Sequence, residues 1–436
     1  MSSERAEQGM HWQGVSSLLD CLIVFGRYPT PSKVKTRLIP HLGPVGAAQL
    51  QKELTEETVK KARSISYLAD LIFFFEGGSK SLLRKWLGRD IAYLPQEGTD
   101  LGSRMKNAIL NAKEKGYQKV IIIGTDIPGL RPDYIREAFS SLDEYDVVLG
   151  PSDDGGYWLV GMKRLFDIFN GIDWGTGRVL NQTIELIKNN HARFHLLNEL
   201  TDIDNLQDIH KTGIKIGSPY LSVIIPTLNE EENIKTAIKS ARSVDAEIIV
   251  VDGGSQDRTK EIARGQGVRV VESERGRAIQ QNKGAEVAQG KVLLFLHADT
   301  ILPRDYTFHV FNLFMDPEYI VGAFMFKTDM SHPFMKIIEF IANIRARHLG
   351  LPYGDQALFM ERSFFETIGG FPCVPIAEDL YLMNRIRRMG KVGVLPIHAI
   401  TSSRKWKNYG IFKITYLHWK VLLALYNDRL RKEGIS

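Results

Sequence analysis

In the later half of the chain, apolar runs stop at carboxylates: Asp252 in IIVVDGGSQD, Asp299 in VLLFLHADT, and the pair Glu378-Asp379 in PIAEDL. An apolar run that ends in a carboxylate places it at the carboxyl edge of a sheet, where open α/β folds take their ligands. Carboxylates gathered there suit chemistry on a metal-bound nucleotide diphosphate, followed by removal of a proton from a hydroxyl.

The neighbouring residues fill in that chemistry. In SVIIPTLNEEENI a buried strand delivers Thr227 and Glu230 to a loop, where they could contact a nucleotide's base and ribose. Glu230, Glu231 and Glu232 read equally as acids in a first helical turn, favoured by the helix dipole alone. Asp252 ends a strand beside Gly253-Gly254, a nucleotide-binding position, while Ser255 and Asp257 read as helix caps. Strand alternation from Val292 to Leu296 puts His297 and Asp299 on one side. Asp299 offers a hard oxygen to Mg²⁺ or Mn²⁺, and His297 is a second ligand or orients Asp299. Arg275 and Arg277, in ESERGRAIQQN, either clamp a diphosphate or form a solvated basic turn. Glu378 and Asp379 fall in the first turn of an amphipathic helix. Asp379 is expected to be the base and Glu378 its support; the alternative is service to the helix dipole. Asp355 and Gln356, in PYGDQALF, suit sugar or acceptor hydroxyls. Arg404, in SSRKW, suits a diphosphate, and the indole of Trp406 suits stacking on a sugar.

The first half carries its own set. LIVFGRYPTPSKVKTRL is a strand followed by a loop with Arg27, Lys33, Lys35, Thr36 and Arg37, cations suited to a diphosphate or triphosphate or simply solvated. The loop lacks GxxxxGK[ST], so it is not a Walker loop. Asp100 and Arg104 stand at a helix start. Asp126 lies just past a buried strand, a metal or ribose position. Asp153 and Asp154 beside Gly155-Gly156 could hold a cation or a sugar hydroxyl, and Asp202 and Asp204 either close that site or form a capped turn.

A chain of 436 residues is too long for one ordinary core, so two domains are expected: 17–216 and 220–436, after a disordered tail over 1–16 and across a linker at Gly217-Ser218-Pro219. Both halves alternate short apolar runs with longer helical patterns, the signature of a mostly parallel sheet flanked by helices. The earlier half shows strands at Leu18–Phe25, Asp70–Phe75, Lys119–Ile123 and Asp146–Leu149, and a helix at Pro44–Arg63. The later half shows strands at Leu221–Ile225, Glu247–Val251, Val268–Glu272 and Lys291–Leu296, and helices at Glu230–Arg242, Thr259–Gly265 and Ala278–Ala288. Two cysteines without metal-ligand spacing argue against a disulfide framework or zinc and fit the cytoplasm. No apolar stretch is long enough to span a bilayer. The net charge of +5 is uneven: Met383–Ser436 holds 12 Lys/Arg against 2 Asp/Glu. Those cations alternate with Trp406, Tyr409, Phe412, Tyr416, Trp419 and Tyr426. The segment reads either as an amphipathic helix docked on its own domain or as a peripheral contact with an anionic membrane; no nucleic-acid partner is expected.

With these residues in hand, the half from about Tyr220 onward resembles the inverting family 2 glycosyltransferases of GT-A fold, most closely a "transferase 2" group associated with radical-SAM/selenodomain proteins. SVIIPTLNEEENI, IIVVDGGSQD, LLFLHADT, PYGDQALF, GGFP, PIAEDL and SSRKW carry the likeness in order. The resemblance implies that Asp252 and Asp299 bind nucleotide and a divalent metal, that Asp379 is the base, and that a nucleotide-sugar donor meets a hydroxyl acceptor. His297 departs from a DxD signature. SSRKW in place of QxxRW implies addition of one sugar or a few. Residues 20–210 resemble a "transferase 1" family, similar in turn to GT-A-like nucleotidyltransferases, through KVKTRL, DLGSRM, GTDIPGL and DDGGY. Ser32 stands where that family has glycine. Together the likenesses imply two GT-A-like, nucleotide-diphospho-sugar-transferase domains in one chain. The first would make a donor, transfer a related group, or serve as a binding module.

Overall fold

A computed structural model describes residues 18–214, 219–374 and 376–410. The expected tail over 1–16 lies outside them, as do Gly217 and Ser218 of the expected linker and Phe412, Tyr416, Trp419 and Tyr426 of the basic end. The chain divides into two compact units, Met1–His41 with Ala47–Ile216 and Leu42–Gly46 with Gly217–Ser436.

The first unit is built on strands β1 (Asp20–Arg27), β2 (Asp70–Glu76), β3 (Ala92–Pro95), β4 (Lys119–Gly124), β5 (Val147–Pro151), β6 (Tyr157–Met162) and β7 (Phe194–Leu196), in the order β3-β2-β1-β4-β6-β5-β7. β1, β2, β3 and β4 are mutually parallel, and β6 runs against both β4 and β5. Alternate residues of β1, Cys21, Ile23 and Phe25, pack with Ile122, Leu149 and Val160 into one core. The helix expected over Pro44–Arg63 is present; Gly43, whose φ of 71° carries no Cβ penalty in glycine, breaks it from a short helical piece that begins at Ile39.

The second unit repeats the start of this plan. Its strands are β8 (Leu221–Thr227), β9 (Ala246–Asp252), β10 (Arg269–Glu272), β11 (Val292–Phe295), β12 (Thr300–Ile301), β13 (Tyr319–Thr328), β14 (Phe359–Glu361) and β15 (Lys391–Thr401), ordered β10-β9-β8-β11-β14-β13-β15-β12. β10, β9, β8 and β11 are parallel, and β14 runs against β11. In both sheets the order reverses at the unit's first strand, between β1 and β4 and between β8 and β11. The loops leaving those carboxyl ends diverge there and open a crevice. Each unit thus has the mostly parallel, helix-flanked α/β sheet that the sequence led us to expect. The helix expected over Glu230–Arg242 covers only Ile234–Ala241, so the three glutamates precede it in a turn and do not occupy its first turn. β11 ends at Phe295, so strand alternation does not reach His297 and Asp299; both sit in the turn beyond.

Candidate active sites

At the carboxyl edge of the second sheet, Asp252 is 1% exposed and its carboxylate is spent on its own loop. Oδ2 accepts from the Gly254 and Ser255 N–H groups at 2.9 Å, and Oδ1 accepts from the Ser255 hydroxyl at 2.5 Å and the Thr227 hydroxyl at 3.5 Å. Thr227 is also buried. The buried Gln280 amide donates to the Thr227 and Val251 carbonyls at 2.8 Å each, tying the ends of β8 and β9 together. Asp252 and Thr227, expected to touch nucleotide directly, instead shape the loop from within. Ser255 and Asp257, expected as helix caps, do not cap: the helix Thr259–Gly265 has Arg258 at its N-cap with no side-chain cap bond, Asp257 accepts from the Thr259 N–H at 3.0 Å from the turn before it, and Ser255 braces Asp252.

A sequence of contacts joins the remaining residues along this edge. Arg404 donates to both carboxylate oxygens of Glu230 at 2.9 Å. Two residues earlier, the Ser402 N–H donates to the Asp299 carbonyl at 2.9 Å. Thr401 donates its hydroxyl to the Asp355 carbonyl at 3.2 Å. Gly354 begins the same short turn, Gly354–Gln356, and its N–H donates to Asp379 Oδ2 at 2.7 Å. Asp379 Oδ1 accepts the Leu380 N–H at 2.8 Å, so two backbone groups hold this half-buried carboxylate at the start of the helix Glu378–Ile386. A Cβ on Gly354 would lie 2.6 Å from His297 Nε2 and 3.4 Å from Asp379 Oδ2, so imidazole and carboxylate approach each other across a residue that must lack a side chain. Glu378 is buried and meets Arg277 Nη1 at 3.3 Å, a support for the helix start.

Backbone strain gathers on the same segments. Asn229 (φ 56°), Ala357 (φ 48°) and Ala377 (φ 66°) adopt left-handed conformations just after Thr227, just after Gln356 and just before Glu378. Such residues cost on the order of 1–3 kcal/mol and persist where surrounding bonds over-determine them.

Two expectations fail. Gln356 is fully buried, donating to the Phe324 carbonyl at 2.9 Å and accepting from the Tyr353 N–H, so it anchors the turn and does not reach a sugar. Trp406 is 6% exposed and packs on Phe326 and Met335, so its indole is core and not a stacking platform. Arg275 is exposed, as a phosphate clamp would be. Among the described residues no group of three His, Cys, Asp or Glu side chains stands close enough to enclose a metal ion.

The first unit opens a cavity of about 690 Å³ at the carboxyl ends of β1 and β4, lined by Lys35, Arg37, Asp100, Arg104, Asp126 and Asp204 among others. Lys35 is 3% exposed and left-handed (φ 46°). Its ammonium donates to Asp126 Oδ2 at 2.7 Å and to the Ile203 carbonyl, and lies 3.6 Å from Asp204 Oδ1. Gln51 and Thr125 satisfy Asp126 Oδ1 at 3.2 Å. Burial alone would raise the Asp126 carboxyl, but Lys35 outweighs it and holds the group below the usual range. Lys35 thus balances the charge of Asp126, whose side chain still lines the cavity. Arg37 meets Asp204 at 3.3 Å, and Arg27 and Arg104 both pair with Glu76. Lys33 is exposed, and Ser32 does take a positive φ, 66°, at the position where the resembling family has glycine. Asp100 is the N-cap of the helix Leu101–Glu114, accepting from Ser103 at 2.7 Å, while its side chain lines the cavity. Asp153 accepts from Thr201 at 2.9 Å and Lys211 at 3.2 Å and lies outside the cavity lining. Asp154 accepts from Ser152 and Gly156. Burial first, then the nearby carboxylates of Asp154 and Asp204, raise Asp202 to about 7. Gln51, Glu76 and Gln96 also line the cavity. Polar residues inside helices and at strand ends carry no motif, so nothing in the sequence marks them.

Residues 58–176 match the family described as uncharacterized proteins conserved in bacteria (DUF2064), and residues 222–369 match glycosyl transferase family 2. Glycosyltransferase AglE of Haloferax volcanii is 38% identical over 93 residues, 19% of this chain and 31% of that protein. A PGL/p-HBAD biosynthesis glycosyltransferase of Mycobacterium tuberculosis is 29% identical over 169 residues, 36% of this chain and 64% of its own. The chain thus spans under a third of the first relative's length and under two thirds of the second's. A solved chain from Desulfovibrio desulfuricans, described as a candidate nucleotide-diphospho-sugar transferase, is 32% identical, with 45% of this chain and 86% of that one covered and a TM-score of 0.43.

Two outcomes are expected. Asp202 binds its proton more tightly folded than unfolded, so its contribution to stability is full below about pH 4 and lost as pH rises through about 7. Asp202→Asn should melt above wild type at pH 8 by scanning fluorimetry, with the gap closing by pH 5. Gly354→Ala must push His297 or Asp379 aside. A misplacement of that size costs roughly 100-fold in turnover where the two act in a reaction, with the fold retained by circular dichroism. By its two matched segments, the chain joins a domain of the DUF2064 family to a domain of glycosyl transferase family 2.

Proposed function

We propose that the second unit moves a sugar from a nucleotide-diphosphate donor to a hydroxyl acceptor with inversion, and that the first unit is a second nucleotide-binding transferase site. The observation that carries the reading is Asp379: a carboxylate pinned by two backbone N–H groups, facing His297 across Gly354, in a family 2 domain.

Each Asp379 oxygen accepts one backbone bond and keeps lone-pair capacity for a proton. In the proposed step Asp379 takes the acceptor's hydroxyl proton while that oxygen bonds to the anomeric carbon. The bond from that carbon to the diphosphate oxygen breaks on the opposite face, and the electron pair leaves with the diphosphate. Attack and departure on opposite faces invert the centre. Arg277 and Glu378 hold the helix that carries Asp379. Asp299 and His297 are the residues that would hold Mg²⁺ or Mn²⁺. They make a partial donor set that diphosphate oxygens must complete, and the ion, when bound, offsets charge on the leaving group. Arg404 and Glu230 are already bound to each other, so a phosphate or ribose engages either one only in competition with its partner.

Asp379→Asn keeps the shape and removes the base. Release of nucleoside diphosphate in the presence of acceptor should fall by about 10²- to 10⁴-fold. Turnover equal to wild type would remove Asp379 from the role.

The cavity in the first unit supports a second reading, in which nucleotidyl transfer there makes the sugar donor and the other unit binds acceptor. Pyrophosphate release from a nucleoside triphosphate and a sugar phosphate should then be lost in Asp126→Ala, which removes the carboxylate nearest Lys35. Unchanged release in that variant counts against it.

A further inference from the structure

The helix Pro333–Leu349 has two faces, and the second unit's core uses one. On the inner face, Met335 and Ala346 are fully buried, and Ile338 and Ala342 pack with Phe326 and Trp406. Buried Asn343 exchanges two bonds with the Phe326 backbone, accepting from its N–H at 2.7 Å and donating to its carbonyl at 2.9 Å. Glu339 accepts from both the N–H and the hydroxyl of Thr328 at 2.7 Å. These polar bonds to β13 fix the helix's rotation, so the outer face is set by design of the fold and not by slack packing.

That outer face is apolar. Ile337, Phe340, Ile341 and Ile344 are 54, 65, 47 and 42% exposed, at the three- and four-residue spacing of one helical stripe, and Leu349, the helix's last residue, is 56% exposed. A helix facing water carries polar residues there. Exposed Lys336 and Arg347 flank the stripe, exposed His348 continues it one turn past Ile344, and the helix's one carboxylate, Glu339, is committed to Thr328. At the helix's end Arg387 donates to the Leu349 carbonyl at 3.3 Å, adding a further cation beside the stripe, and exposed Met389 follows two residues on.

We propose that this face is a docking surface for an anionic lipid bilayer, with Ile and Phe side chains entering the headgroup–acyl boundary and the flanking cations meeting lipid phosphates. Charge selects this occupant. A second copy placed isologously on the stripe would bring the Lys336 and Arg347 charges of the two copies together. The chain's residues 411–436 hold five Lys/Arg against two Asp/Glu, so laying them on the stripe would again put cations on cations. Anionic headgroups satisfy both sets. The helix lies on the surface and does not cross it: among the described residues no helix is long and apolar enough to span a membrane. The inference stands apart from the transferase reading, because its readout is binding and not turnover.

The test is co-sedimentation of the full chain with vesicles of phosphatidylcholine alone or mixed with phosphatidylglycerol, at low and high salt. Wild type should pellet with the anionic vesicles, weaken at high salt, and stay in solution with phosphatidylcholine alone. Ile337→Glu/Ile341→Glu should lose about tenfold or more in partitioning, and Ile337→Ser/Ile341→Ser should lose less but clearly, both with an unchanged melting temperature. Three results would overturn the proposal: no binding of wild type to anionic vesicles, binding by the double glutamate variant equal to wild type, or a concentration-dependent dimer that this variant abolishes while lipid binding is absent.

Discussion

Two backbone N–H groups, from Gly354 and Leu380, hold the Asp379 carboxylate, and the second unit's site depends on how the Gly354 group is itself held. Gly354 opens a turn that Gln356 bolts to β13 through the Phe324 carbonyl and that Thr401, at the end of β15, bolts through the Asp355 carbonyl. A carboxylate on the first turn of one helix is thereby referenced to two neighbouring strands of the sheet. The strained φ values of Ala357 and Ala377 close this arrangement on either side. Each costs free energy locally, and the bonds around them offset that cost.

A second regularity links the two units. Cations suited to phosphate are already paired with acids of their own site: Lys35 with Asp126, Arg404 with Glu230, Arg277 with Glu378. Under the proposed function, an arriving phosphate would exchange one anionic partner for another and would not meet a naked charge. Such exchange lowers net affinity and sharpens selectivity for ligands that bring more charge than a single carboxylate. The pairing is tightest at Lys35, whose ammonium is almost wholly shielded from water.

The sheets were legible because buried parallel strands leave continuous apolar runs, and IIVVD and VLLFL declare themselves in a single chain. The carboxylates that end those runs were legible for the same reason. Their partners were not. Asp252 looks like a ligand in sequence because an acid at a strand end has no local use, yet its loop folds back and supplies Ser255 and two N–H groups. Gln356 and Trp406 look like sugar-binding residues by type alone, and only tertiary packing shows that both are buried. Gly354 carries no chemistry of its own, so nothing in its spacing announces that His297 and Asp379 meet across it. The outer stripe of the helix Pro333–Leu349 was hidden for the opposite reason: a helix apolar on both faces reads as core.

In the proposed reaction Asp379, His297 and Asp299 serve one donor at the carboxyl edge of β8 and β11. A crystal structure of the full chain with a nucleoside diphosphate-sugar and Mn²⁺, with anomalous scattering locating the ion, decides this. An anomalous peak beside Asp299, the diphosphate against it, and the anomeric carbon open toward Asp379 are expected. A nucleotide bound away from that edge, or held by the first unit alone, would contradict the proposed reaction.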